Sequence, residues 1–305
     1  MRWRRLLDGL HRRGAALPPT TRGLLWSAAA GLTFCVLNAL MRALALGMDP
    51  FLAQFLRYLF GLLVLLPLVL RGGLATCRPK NVRGQFVRGG LHTLGLMLWF
   101  VALPKISLAD MTAIGFTGPI FIMLGAWLAF REPMRWERWL AAAIGFSGVM
   151  IVVAPRMSGS GGVYHLVMLA SAPVFAASFL MTKALTRYES PRVIVLWQAL
   201  TVAVLSLPLG MMHWQTPTLG QWAGFAVCGL LGSGGHYLLT RSYMVADISA
   251  TQSVKFLELV WAGLLGWILF SDSPSQSTLI GGAVISVSTL WIARRESRRK
   301  APAPV

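Results

Sequence analysis

Acidic side chains are the scarcest feature of this sequence: 10 Asp and Glu in 305 residues, with charged residues of both signs making up only 12%. That is too little polar surface to solvate a globule of this size, which excludes an ordinary soluble domain. A net charge of +18 would suggest nucleic acid in a soluble protein. Here the Lys and Arg residues sit at the termini and between hydrophobic runs, as orientation determinants do, so no nucleic-acid partner is expected. Three cysteines, Cys35, Cys77 and Cys228, lack metal-ligand spacing, and two fall inside hydrophobic runs; neither a disulfide framework nor a metal site is indicated. There is no P-loop, so ATP is not the direct energy source, and no HExxH, paired-aspartate or Ser-His-acid arrangement in any loop. No cofactor is expected.

What the chain does have is apolar length. Hydrophobic residues make up 56% and fall in runs at 24–45, 51–70, 86–103, 107–129, 138–154, 163–186, 192–212, 220–240, 248–270 and 277–293, each near the ~20 residues needed to span a bilayer. The pattern predicts an all-α integral membrane protein of ten transmembrane helices. The basic start followed by an apolar run imitates a secretory signal, but the run from Gly23 to Met41 exceeds the ~7–15 residues of a signal core. With the N-terminus cytoplasmic, 23 of the 28 Lys and Arg lie on the inside, and only Lys105 and Arg156 fall in outer loops. Both termini are therefore expected in the cytoplasm, in the inner membrane of a bacterium. The chain divides into a basic segment at 1–22, helices over 23–155 and 163–293, and a basic tail at 294–305.

The two helical parts repeat one another. At an offset of 141, Arg42-Ala43-Leu44 matches Lys183-Ala184-Leu185, Pro50 matches Pro191, and Leu66-Pro67-Leu68 matches Leu207-Pro208-Leu209. At an offset of 140, Phe116, Trp127 and Phe130 recur as Phe256, Trp267 and Phe270. Five helices per copy is an odd number, so the second copy enters the membrane upside down, giving two inverted repeats about an in-plane pseudo-two-fold axis.

The fourth run, ISLADMTAIGFTGPIFIMLGAWLAF, is interrupted at Gly115-Phe116-Thr117-Gly118-Pro119. Proline removes a backbone donor and frees a carbonyl, so a break at mid-depth is expected to face a cavity or other protein, where transporters place substrate sites. This run closing on Arg131-Glu132-Pro133, together with FLRYLFGLLVLLPLVL before it and a fifth run ending GFSGVMIVV, resembles the EamA branch of the drug/metabolite transporter superfamily over residues 22–295. The second half departs where Glu132 becomes Asp272. The resemblance implies a permease for amino acids, S-adenosylmethionine, vitamins, nucleotide-like metabolites or drugs.

Polar groups inside the membrane need a reason to be there. Asn38 and Arg42 share a face near the outer end of the first helix, where Arg42 can snorkel. Arg57 lies about two turns inside the second helix and is open to a cavity role, paired with an acidic residue or a substrate anion, or to snorkelling. His92 and His236 sit among small residues and can bind across helix interfaces. Asp110 begins the broken fourth helix, as a cap or a site residue. Thr251, Lys255 and Glu258 share a face of the ninth helix and correspond to Met111, Gly115 and Gly118 in the first copy. That pair is either an internal lock or an anchor for a zwitterionic substrate. Asp110, Glu258 and the histidines offer groups for protons as the coupling ion, whereas exchange needs none of them. A secondary transporter of a small polar or amphipathic metabolite, as a monomer or homodimer, is the leading expectation. A membrane-embedded enzyme acting on a lipid-linked substrate is the alternative.

Overall fold

In a bilayer the backbone must satisfy its own hydrogen bonds, and long runs of Leu, Val and Ala between charged loops do so as helices. The computed structural model describes residues 17–298 apart from 46, 103–104, 106–113, 157–161, 213 and 271–274. Among these residues there is no strand; the helices are α1 (Pro19–Ala45), α2 (Pro50–Gly72), α3 (Val82–Ala102), α4 (Gly118–Phe130), α5 (Trp136–Val153), α6 (Val163–Leu185), α7 (Pro191–Met212), α8 (Leu219–Val245), α9 (Ile248–Lys255), α10 (Leu257–Phe270) and α11 (Gln276–Ser297). Six of them, α1, α2, α5, α6, α7 and α11, are long and apolar enough to cross a membrane unaided. The others fall short for two reasons. Helix α4 is short because its crossing is broken, and α9 with α10 forms one crossing interrupted at Phe256. Helices α3 and α8 have the length but carry Arg88, His92, Arg241 and His236.

Helix starts at one end of the bundle are set locally. Asp49 accepts hydrogen bonds from the amides of Phe51 (2.9 Å) and Leu52 (3.2 Å) at the start of α2. Thr218 and Gln221 form a reciprocal capping box at the start of α8.

The packing is two-fold in pattern. Helix α1 packs on α8 as α3 packs on α6, α2 on α8 as α3 on α7, and α4 on α6 as α9 and α10 on α1; α2 meets its own counterpart α7, and α5 meets α11. Exchanging each helix for its mate in the other copy maps these pairings onto one another. The correspondence reaches single residues. A Cβ on Gly229 would lie 2.5 Å from the Phe60 carbonyl carbon, and one on Gly89 would lie 1.9 Å from the hydroxyl of Thr201; Gly89 and Gly229, like Phe60 and Thr201, are repeat mates. Gly148 and Gly281 bring α5 and α11 equally close, in the manner of small residues at membrane helix contacts. The most extensive contacts thus join one half to the other, and the halves interdigitate.

The first turn of α1 and the last of α11 lie at the same end. Ser242 Oγ donates to the Gly23 carbonyl (2.6 Å), and Arg138 binds Glu296 (2.9 Å) and Asp247 (2.9 Å) beside the α8–α9 corner. At this end, too, Glu132 caps α9 by accepting from the amides of Ile248 (3.0 Å) and Ser249 (3.1 Å). Glu189 accepts from the amides of Lys80 (2.6 Å) and Asn81 (3.0 Å) just before α3, and Lys183 donates to the carbonyls of Tyr243 and Ala246, each at 2.6 Å.

Candidate functional site

The two breaks organise the middle of the bundle. Pro119 has no N–H to give the preceding turn, and the chain there tightens: the Thr117 amide bonds to the Ile114 carbonyl (3.0 Å) and the Ile120 amide to that of Thr117 (2.9 Å). In the second copy the Leu259 amide reaches only to the Phe256 carbonyl (3.2 Å). The residues at the two breaks, Phe116 and Phe256, are repeat mates and stack on one another, ring centroids 5.7 Å apart with planes at 17°. The pseudo-two-fold axis therefore passes between these rings. Neither Gly nor Pro marks the second break. Phe256 is held there by Phe116 on one side and by Gly145, whose hypothetical Cβ would fall 2.7 Å from its ring, on the other.

The glycines separate into two kinds. Those at 89, 145, 148, 229 and 281 are pressed against neighbouring helices, whereas among the described residues a Cβ on exposed Gly115 or buried Gly118 would meet nothing within 4 Å. Neither glycine is needed for a close contact with the described residues.

A polar network runs from α2 to α8. Arg88, fully buried in α3, donates Nε to Thr182 (2.5 Å), Nη1 to the Ile194 carbonyl (3.1 Å) and Nη2 to Gln198 Oε1. That fixes the Gln198 amide, so its Nε2 faces His236 Nε2 at 3.3 Å and donates to it. Ser178 gives its only proton to the Arg88 carbonyl (3.2 Å) and so accepts from His92 Nδ1 (3.5 Å). His92 Nε2 pairs with the Tyr58 hydroxyl (2.9 Å). His236, accepting at Nε2, is neutral with its proton on Nδ1, and the two histidines meet edge to face at 5.5 Å.

Phe34, Phe175 and Phe179 surround this histidine pair. Lys255 Nζ lies 5.2 Å over the far side of that wall, on the Phe179 ring. Arg57 stacks over Tyr58 (5.0 Å), and its buried Nε has no partner among the described residues. It opens on a small space of about 10 Å³, enough for one water, between Gly232, Ser233, Gln198 and His236.

Of the residues singled out in the sequence, the structure brings together Arg57, His92 and His236, with Lys255 on the Phe179 ring beside them; Gly115 and Gly118 flank Phe116 at the first break. Glu258 and Lys255 form no salt bridge among the described residues, and Phe256 interrupts the helix between them. Glu258 instead packs on α1, where a Cβ on Gly31 would lie 3.1 Å from its Cγ and Cys35 Sγ reaches its carbonyl (3.1 Å). Asn38 is exposed on α1. Asp110 and the side chain of Arg42 lie outside the described residues. Several buried polar atoms on α9 and α10 have no partner among the described residues: Gln252 Oε1, Ser253 Oγ and Trp261 Nε1. Each such atom costs about 1–3 kcal/mol unless a water or ligand meets it.

Sequence patterning grouped Arg88 and Arg138 with the basic residues that set orientation; both are 2% exposed and internal. The signal for Arg88 was its i, i+4 spacing to His92 on a helix that begins at Val82, earlier than the charged residues suggested.

The model of the EamA-like transporter family matches residues 21–154 and again 163–294. The riboflavin transporter of Rhizobium johnstonii is 34% identical over 281 residues, 91% of this chain and 93% of that protein. The S-adenosylmethionine uptake transporter of Rickettsia prowazekii is 26% identical over 284 residues, 93% of this chain and 96% of that one. The pseudopaline exporter of Pseudomonas aeruginosa is 27% identical, covering 89% and 96%. A solved crystal structure superposes with a TM-score of 0.79 at 20% identity, over 91% of this chain and 99% of that one, and shares the fold.

Proposed function

This chain belongs to the EamA-like transporter family and is a secondary transporter of a small metabolite rather than an enzyme, and on that premise we propose that its cargo carries an anionic group beside an amine or a flat heterocycle. The observation that carries this reading is the charge inventory of the interior. Away from the ends of the bundle, the described cations are Arg57, Arg88 and Lys255, and the described acidic side chain is Glu258. Each interior charge costs on the order of 2.5–3.5 kcal/mol on insertion scales. A carboxylate or phosphate on the cargo offsets that cost at Lys255 and Arg57; Arg88 is already held by three neutral acceptors. Phe116, Phe256 and Trp261 supply aromatic faces for the remainder. Amino acids and S-adenosylmethionine-like compounds fit that description, and the latter agree with what some relatives are named for; riboflavin, for which another relative is named, supplies the flat heterocycle but no carboxylate or phosphate.

Transport by alternating access follows from the inverted repeat. Because the halves interdigitate, the moving bodies combine helices of both copies. Asp110, Asn38, Gly115 and Gly118 join Lys255, Arg57 and the histidine pair as the proposed lining of the path. Glu258 is the group assigned to a coupling proton. The Lys and Arg bias supports a bacterial cytoplasmic membrane with both termini inside, and a monomer or homodimer is the proposed assembly.

A charge series tests the anion contact. Lys255→Ala is expected to weaken carboxylate-bearing ligands about ten- to a hundredfold, the worth of a charged hydrogen bond, and their neutral amide analogues only slightly. Full transport by Lys255→Met/Glu258→Met would rule the anchor out.

A further inference from the structure

On the outside of the bundle, away from the central path, a groove of about 330 Å³ runs between α2 and α7. Leu62, Leu66 and Val69 form one wall, and Leu196, Trp197 and Leu200 the other. From Leu62 to Val69 it extends about 10 Å along the helix axis. It ends at the 3-10 turn Leu74–Cys77, which Trp197 pins by donating Nε1 to the Cys77 carbonyl (3.0 Å). Arg78 closes that end.

The rim there is basic. Arg71, Arg78, Lys80, Arg83 and Arg192 are all exposed. The segment 71–83 contains no acidic residue, and Glu189 in the facing loop is buried with its carboxylate turned to the amides of Lys80 and Asn81. The repeat mate of this rim, residues 212–218 at the opposite end, has no Lys or Arg. An apolar slot at acyl-chain depth, an indole at the interface and an unpaired cationic rim on one side alone match one amphiphile. We propose that this groove binds an anionic phospholipid, one acyl chain lying between α2 and α7 and its phosphate at Arg78.

The test is native mass spectrometry of the purified full-length protein, titrated with phosphatidylglycerol and with phosphatidylcholine of the same chain length. Phosphatidylglycerol is expected to be retained at least about tenfold more tightly. Each rim cation contributes about fivefold near an anionic surface, so Arg78→Gln/Lys80→Gln, at exposed positions that leave folding intact, should weaken phosphatidylglycerol about 25-fold and leave phosphatidylcholine unchanged. Leu66→Trp, which fills the slot, should displace both lipids. Equal retention of the two lipids by the unsubstituted protein would overturn the proposal without any variant. So would a preference that survives the double substitution, or displacement of the lipid by millimolar glycerol phosphate, which would make the rim a free-phosphate site.

Discussion

Two glycines in this bundle invite the same substitution and predict opposite results. At Gly229 an added Cβ would sit 2.5 Å from the Phe60 carbonyl carbon and 2.6 Å from the Gly61 amide nitrogen. Both are backbone atoms, so no side chain can swing aside, and α2 and α8 must part by about 1 Å. Overpacking of this kind costs about 1–3 kcal/mol. At Gly115 the added Cβ meets nothing within 4 Å among the described residues, and replacing glycine in a helical turn can recover up to about 1 kcal/mol of propensity. Gly229→Ala should therefore lower the melting temperature of the detergent-solubilised protein by several degrees, while flux per folded molecule stays near normal. Gly115→Leu should leave melting and membrane level unchanged, yet reduce solute flux at least about tenfold, equivalent to 1.4 kcal/mol, because the leucine occupies the space beside the Phe116–Phe256 stack. Thermal unfolding monitored alongside flux in proteoliposomes decides both. Normal transport by Gly115→Leu, or its unfolding, would refute the view that this space belongs to the path.

Further outcomes follow from the end where α1 begins and α11 finishes. Arg138→Met leaves the buried Glu296 with Arg135, at 3.9 Å, as its remaining cation among the described residues, and should destabilise by about 3–5 kcal/mol; Arg138→Met/Glu296→Met should recover most of it, and an unchanged melting curve for the single variant would contradict the burial. Reporter fusions after Lys80 and Glu189 should read as cytoplasmic and those after Met48 and Thr216 as external; an external reading at Lys80 would break the inverted-repeat assignment.

The architecture was largely written in local pattern. Ten apolar runs, a five-helix repeat and the Gly-Phe-Thr-Gly-Pro interruption need only periodicity, length and the chemistry of proline to be read. The second break was not readable, because Lys255-Phe256-Leu257 carries no helix breaker; Phe256 is held by a ring 140 positions away and by Gly145 beneath it. Arg88 and Arg138 were obscure for a related reason. A positive charge near a helix end reads as an orientation signal, and only partners about 90–160 residues distant, Thr182 and Gln198 for one and Asp247 and Glu296 for the other, show each to be buried. Lys255 and Glu258 illustrate the converse: spacing put them on one face, and the break between them turned one toward Phe179 and the other toward α1.

The central claim, secondary transport of a small anionic or zwitterionic metabolite, is tested most directly by counterflow. Proteoliposomes of the purified protein would be preloaded with one member of a panel of amino acids, S-adenosylmethionine and flavins, and challenged with labelled solute outside, without ATP. The account predicts transient accumulation for at least one carboxylate- or phosphate-bearing or zwitterionic solute, lost in Gly115→Leu and weakened in Lys255→Ala. Accumulation only of uncharged or purely cationic solutes, or none across the panel, would contradict it.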